Sequence, residues 1–180
     1  MLQRHHSIEE ELAALRAAGL YRSLRALSCA GGHARVDGGT VLNFSSNDYL
    51  DLANDLRLKV GAAEAVERYG CGATASRLMA GHLELHAELE RRLAALVGQE
   101  TALVFPTGFQ ANVGVLTALA GPEDAIFSDA LNHASIVDGC RLSRAAVHIY
   151  PHRDMDALEV LLQHSGRFRR RIIVSDSVFS

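Results

Sequence analysis

Ser128-Asp129-Ala130-Leu131-Asn132-His133-Ala134-Ser135-Ile136-Val137-Asp138-Gly139 directly follows the compact apolar run Ala125-Ile126-Phe127. Small polar residues after a short apolar run read as the end of a buried strand and the start of a helix. In α/β proteins that place carries ligand chemistry. Asn132 or Asp129 is suited to cap the helix, because a short carboxyl or amide side chain accepts from orphan first-turn N–H groups. His133 then falls in the first turn, where the positive end of the helix dipole favours a neutral ring. A neutral imidazole can lie flat on a ligand ring; the competing reading is a solvated surface histidine.

The units on either side repeat this logic. Upstream, residues 101–105 are a compact apolar strand candidate, Pro106-Thr107-Gly108 a turn, and residues 109–120 a helix closed by Gly121-Pro122. The first amides of such a helix lack internal partners and point outward at its positive end, which suits a dianionic phosphate. Gly108, with no side chain, allows close approach. Downstream, a strand is expected over 147–150 and a helix from Asp154 carrying Met155, Leu158, Leu161 and Leu162. Ile172-Ile173-Val174 gives a last buried strand. Alternating strands and helices imply an α/β fold whose mostly parallel sheet is covered by helices on both faces. Asp176 and Ser180 fall at the C-terminal end of that last strand.

Nearer the N-terminus, Ser7-Ile8-Glu9-Glu10 forms a capping box, and Ile8, Leu12, Leu15 and Ala18 recur at helical spacing, so residues 7–18 read as a short amphipathic helix. Residues 34–36 and 40–44 flank Asp37-Gly38-Gly39, a hairpin turn. Asn54 is placed to cap a helix over 55–69 that Gly70 ends. Residues 70–81 are too rich in small side chains for a regular element and suit a loop passing close to a ligand or a second subunit. His82 and His86 share a helix face, but Leu83 stands where a metalloprotease glutamate would, and no third ligand is evident, so no metal site is expected. Leu85, Leu89, Leu93 and Leu96 form an apolar helix stripe instead. Two segments emerge: residues 1–50, a helix and hairpin, and residues 51–180, the sheet-bearing domain.

Composition sets the wider limits. The chain has 180 residues, 48% hydrophobic and 22% charged, with a net charge of −3, an ordinary globular balance. Its one basic run, Arg167-Phe168-Arg169-Arg170-Arg171, reads as solvating the approach to the last strand, so nucleic acid is not an expected partner. Three widely spaced cysteines without a C-x-x-C pair argue against a disulfide framework or zinc ribbon and fit a reducing cytoplasm. No apolar run reaches spanning length, so neither export nor membrane insertion is expected. Of the 18 basic residues, 17 are arginine; Lys59 is the single lysine.

Together with Leu42-Asn43-Phe44-Ser45-Ser46-Asn47-Asp48-Tyr49-Leu50, the loop from Gly70 to Gly81, Thr107-Gly108-Phe109-Gln110-Ala111-Asn112 and Ser175-Asp176-Ser177-Val178-Phe179-Ser180, the opening stretch resembles the α-oxoamine synthase family of pyridoxal-phosphate enzymes, of aminotransferase fold type I. The resemblance implies pyridoxal 5′-phosphate as cofactor, with its ring under His133 and its phosphate at Gly108 and Phe109. It further implies contacts from Ser180, a supporting role for Asp176, and Arg22 (or the nearby Arg25) reaching a substrate carboxylate. The implied reaction condenses an amino acid with an acyl-CoA or acyl-carrier thioester; the implied assembly is a homodimer whose 70–81 loop lies near the subunit boundary. Family members run to about twice this length. The segment with the cofactor-holding lysine and the aspartate for the pyridine nitrogen would lie beyond residue 180. The expectation is therefore an N-terminal portion of the large domain, truncated and inactive alone, with a non-catalytic phosphate-binding or dimer-forming remnant as the alternative.

Overall fold

Helix α1 (Ile8–Ala17) starts as its capping box predicts in a computed structural model, which describes residues 7–30 and 32–179. Ser7 Oγ accepts the Glu10 N–H at 3.2 Å while Glu10 Oε2 accepts the Ser7 N–H at 3.0 Å. Strands β1 (Ser28–Ala30), β2 (His33–Val36) and β3 (Gly39–Leu42) form an antiparallel sheet in that order. Asp37 (φ 50°) and Gly38 (φ 83°) make the β2–β3 turn, the pair of left-handed residues that a two-residue hairpin needs. Gly39 begins β3 instead of sharing in the turn. β1 adds a strand that its short sequence did not signal.

Helix α2 (Leu56–Tyr69) is capped by Asp55, one residue later than expected: its carboxylate accepts the Arg57 N–H at 2.8 Å. Asn54 instead ends a 3-10 turn (Leu52–Asn54) and accepts from Lys59 Nζ at 3.2 Å. Gly70 follows the helix with φ 76° and ψ −167°, a positive-φ backbone that a residue without a Cβ adopts at little cost. The chain divides into two compact units, Met1–Gly72 and Ala73–Ser180, and these elements all belong to the first.

The second unit contains α3 (Glu84–Leu96), α4 (Gly108–Leu119), β4 (Ala125–Asp129), α5 (Ala134–Ser143), β5 (Ala146–Tyr150), α6 (Met155–Gln163) and β6 (Arg171–Val174). Its sheet is parallel in the order β5-β4-β6, with Phe127 opposite His148 and Ile173. Side chains alternate across β4. Ile126 packs with Leu116 of α4, with Ala120 just after that helix, and with Ile136 and Cys140 of α5; Ala125 and Phe127 pack on the other face with Tyr150 and Leu158. Helices therefore cover both faces of a strand buried along its whole length, as a parallel sheet needs.

Three expectations are corrected. Residues 101–105 form no strand ladder, and side chains take the backbone groups of Val104: its N–H donates to Glu90 Oε1 and its O accepts from Arg77 Nη1, each at 2.8 Å. The arginine run is not simply solvating. Arg169 grips the fully buried Asp124 through Nε (3.0 Å) and Nη2 (2.7 Å), Arg170 donates to Leu119 O, and Arg171 reaches Leu162 O. On α3, Ala94 is buried while the four leucines stay exposed, Leu96 at 80%. Among the described residues, no helix is long and apolar enough to cross a membrane.

Candidate functional site

β4 has β5 on one side and β6 on the other, so chain order reverses at its C-terminal end, where an open parallel sheet leaves a crevice. Asp129 ends β4 and is buried. Its carboxylate turns inward to accept the Leu131 N–H (2.9 Å), the Arg153 N–H (3.3 Å) and His152 Nδ1–H (3.0 Å). Burial pushes this carboxyl up, but the donors from Leu131, His152 and Arg153 outweigh it and leave the net shift downward. Asp129 therefore does not cap α5.

Asn132 does not cap it either. It is buried, and Nδ2 donates to Ser128 Oγ (2.9 Å) and Val174 O (2.8 Å), tying β4 to β6, while Oδ1 accepts the Asp176 N–H at 2.9 Å. The cap is His133 itself, with extended backbone (φ −55°, ψ 144°) and Nδ1 accepting the Ser135 N–H at 3.2 Å. His133 is thus one step ahead of the first turn in which the sequence placed it. Ser135 Oγ lies 2.7 Å from the same Nδ1 and accepts from Asn112 Nδ2 at 2.9 Å, so a polar chain runs from α4 through Ser135 to the imidazole. With Nδ1 an acceptor, the ring proton sits on Nε2. The His133 N–H donates to Asp176 Oδ2 at 2.8 Å.

Thr107 caps α4 by accepting the Gln110 N–H at 3.1 Å, and the first intrahelical bond is Ala111 N–H to Thr107 O at 3.0 Å. The amides of Gly108 and Phe109 lie ahead of it. A Cβ at Gly108 would meet nothing within 4 Å. A cavity of about 410 Å³ opens here, bordered by Gly108, Phe109 and Asn112 on one side and by His133, Ser135 and Asp176 on the other, with Leu131 and Val178 supplying apolar wall.

Four residues singled out from the sequence, Gly108, Phe109, His133 and Asp176, thus border one cavity. Ser180 lies outside the described residues. Arg22 is an exposed residue in the irregular segment following α1, in the first unit. Asn112, Ser135 and His152 were not singled out. Asn112 lies one turn beyond Gly108 on the same helix face, and a serine two residues after a histidine is a capping pattern, so both left a signal. His152 left none, because its partner is 23 residues away.

A switch-point cavity between two helix N-termini on a doubly covered parallel sheet defines a class of α/β ligand-binding proteins. The chain belongs to the aminotransferase class I and II family, which matches it over residues 39–180. It is 56% identical over 172 residues to an 8-amino-7-oxononanoate synthase of Citrifermentans bemidjiense, covering 95% of this chain and 44% of that protein. It is 55% identical over 175 residues to the Geobacter sulfurreducens protein of the same name, covering 97% of this chain and 45% of that one. The chain thus spans less than half the length of these relatives. Among solved structures, a serine palmitoyltransferase of S. paucimobilis superposes with a TM-score of 0.85 at 27% identity, over 96% of this chain and 44% of that one. The 8-amino-7-oxononanoate synthase of Francisella tularensis does so with a TM-score of 0.57 at 30% identity, over 66% of this chain and 33% of that one.

Proposed function

We propose that the cavity between the N-termini of α4 and α5 holds pyridoxal 5′-phosphate, and that the whole protein is an acyl-thioester:amino acid C-acyltransferase. Within that class the reading is 8-amino-7-oxononanoate synthase, joining alanine to a pimeloyl thioester in biotin synthesis. Relatives of that name at 50–56% identity support it. The observation that carries the reading is the convergence on one cavity of a phosphate-type helix terminus and a histidine whose ring is oriented by its own cap. The residues fit the group: Gly108 leaves open space where a side chain would obstruct a phosphate, and unpaired-in-helix amides at 108 and 109 provide donors.

When bound, the cofactor supplies an electron sink that lets the α-carbon of an amino acid act as a carbanion. This chain's own residues bind and orient. Gly108 and Phe109 would grip the phosphate, and His133, locked by Ser135 and Asn112, would cover the ring. Asp176 holds the backbone of His133 in place. Arg22 would reach an acyl-substrate carboxylate through its planar fork, with the cofactor also touched by Ser180. A homodimer completes the proposal. Glycine C-acetyltransferase is the nearest alternative, because residues 128–139 suit it equally.

The test is a titration of the chain with pyridoxal 5′-phosphate, read by induced circular dichroism of the cofactor. Saturable binding is expected, with inorganic phosphate competing and His133→Ala weakening it by about two- to tenfold, the range of an aromatic stacking contact. Gly108→Asp, which sets a carboxylate at the phosphate position, should abolish it. Binding indifferent to both variants refutes the cavity. In the whole protein, consumption of alanine over glycine with a pimeloyl thioester distinguishes the two synthase readings.

A further inference from the structure

Residues 175–179, after β6, have no regular structure, yet they carry Asp176 and Val178 to the cavity wall. Two of their anchors are at one residue, since Asp176 accepts from the His133 N–H and donates its own N–H to Asn132. A further anchor among the described residues is a ring contact three residues on: Phe179 and the His152 ring meet edge to face, with centroids 4.5 Å apart and planes at 72°. His152 is itself oriented. Nδ1 faces the carboxylate of Asp129, at 3.0 Å from one oxygen and 3.1 Å from the other, and Asp129 is only 3% exposed.

We infer that His152 is a positioning residue for the cavity: the buried Asp129 carboxylate sets its ring, and the ring, pressed against Phe179, fixes the segment that presents Asp176 to His133. The geometry needs both halves. A carboxylate held by the Leu131 and Arg153 amides is a rigid reference point on the end of β4, and an imidazole bonded to it through one nitrogen has little rotational freedom. An edge-to-face pair then transfers that rigidity to Phe179. Without it the 177–179 segment is free to pivot about Asp176, and the His133–Asp176 bond opens more often. That this pivot matters for cofactor binding rests on the proposed function.

The test uses the 180-residue chain and amide hydrogen exchange followed residue by residue by NMR, which needs no cofactor. In His152→Ala, exchange at the His133 and Asp176 amides should quicken by about three- to tenfold while Ile126 in β4 is unchanged. His152→Asn, which retains a donor for Asp129 but no ring, should behave like His152→Ala. Phe179→Leu should give the same loss, and the double variant no more than either single one. Unchanged exchange at His133 in His152→Ala, equal acceleration at Ile126, or additive losses in the double variant would each overturn the inference. Pyridoxal phosphate titration of the same variants separates the two claims. If the wild-type chain binds none while the exchange pattern holds, the cofactor reading fails and the positioning role stands.

Discussion

Replacing Asn132 should damage this protein more than its modest size implies, because one amide ties the end of β4 to the 174–176 stretch through three hydrogen bonds. Its three hydrogen bonds, to Ser128 Oγ (2.9 Å), Val174 O (2.8 Å) and from the Asp176 N–H (2.9 Å), are made where the side chain is largely closed off from water. At about 1 kcal/mol net for each bond, Asn132→Ala should cost about 3 kcal/mol, rising if a buried partner is left unpaired. With a urea slope of roughly 1–3 kcal/mol/M for a domain of this size, the midpoint should fall by about 1–3 M at unchanged slope. Asn132→Asp isolates the chemistry from the shape. It keeps the acceptor for Asp176 but sets a carboxylate oxygen against the Val174 carbonyl, so at neutral pH it should be at least as harmful as alanine. On acidification the protonated carboxyl regains one donor, and the gap to wild type should narrow. An alanine variant within about 0.5 kcal/mol of wild type, the usual range of a surface change, would refute the reasoning. So would an aspartate variant indistinguishable from asparagine at neutral pH.

The Arg169 guanidinium beside Asp124 holds that carboxyl at about 2, below its ordinary 3.8, so its stabilising contribution is complete above 3.8 and is lost as pH falls towards 2. In urea melts the deficit of Asp124→Asn relative to wild type should therefore shrink between those pH values; a constant deficit would contradict the assignment. At Gly139 a Cβ would lie 2.8 Å from Leu116 Cδ1 and 3.0 Å from Asn112 O, so Gly139→Ala should force α4 and α5 apart. It should lower stability by about 1–3 kcal/mol in denaturant titration and loosen the Asn112–Ser135 bond. Lys59 lies on α2 with its ammonium 3.2 Å from Asn54 Oδ1, and no cofactor role is assigned to it. Borohydride reduction with pyridoxal phosphate, followed by peptide mapping, should show no stoichiometric adduct there; such an adduct would move the cofactor away from the cavity.

Much of the site was legible because it is written locally. Gly108 and His133 stand at predicted strand-to-helix junctions, and a helix end exposes amides wherever it occurs. The identity of the α5 cap was not legible. Three neighbouring residues, Asp129, Asn132 and His133, can all serve as caps, and the choice among them was made by partners distant in sequence. His152 and Arg153 claimed Asp129, Val174 and Asp176 claimed Asn132, and the imidazole was left to take the Ser135 amide.

The same division runs through the fold. By itself the sequence determined the α1 capping box, the β2–β3 turn, the α/β alternation and the apolar faces of β4, since each depends on side chains a few residues apart. Tertiary structure alone decided the order β5-β4-β6, the capture of the Val104 backbone by Arg77 and Glu90, the engagement of Arg169 with Asp124, and the anchoring of Phe179 by His152. Each of these is a competition for a hydrogen bond or a ring contact between groups far apart along the chain. No local pattern records the winner, because it depends on which groups folding brings within reach.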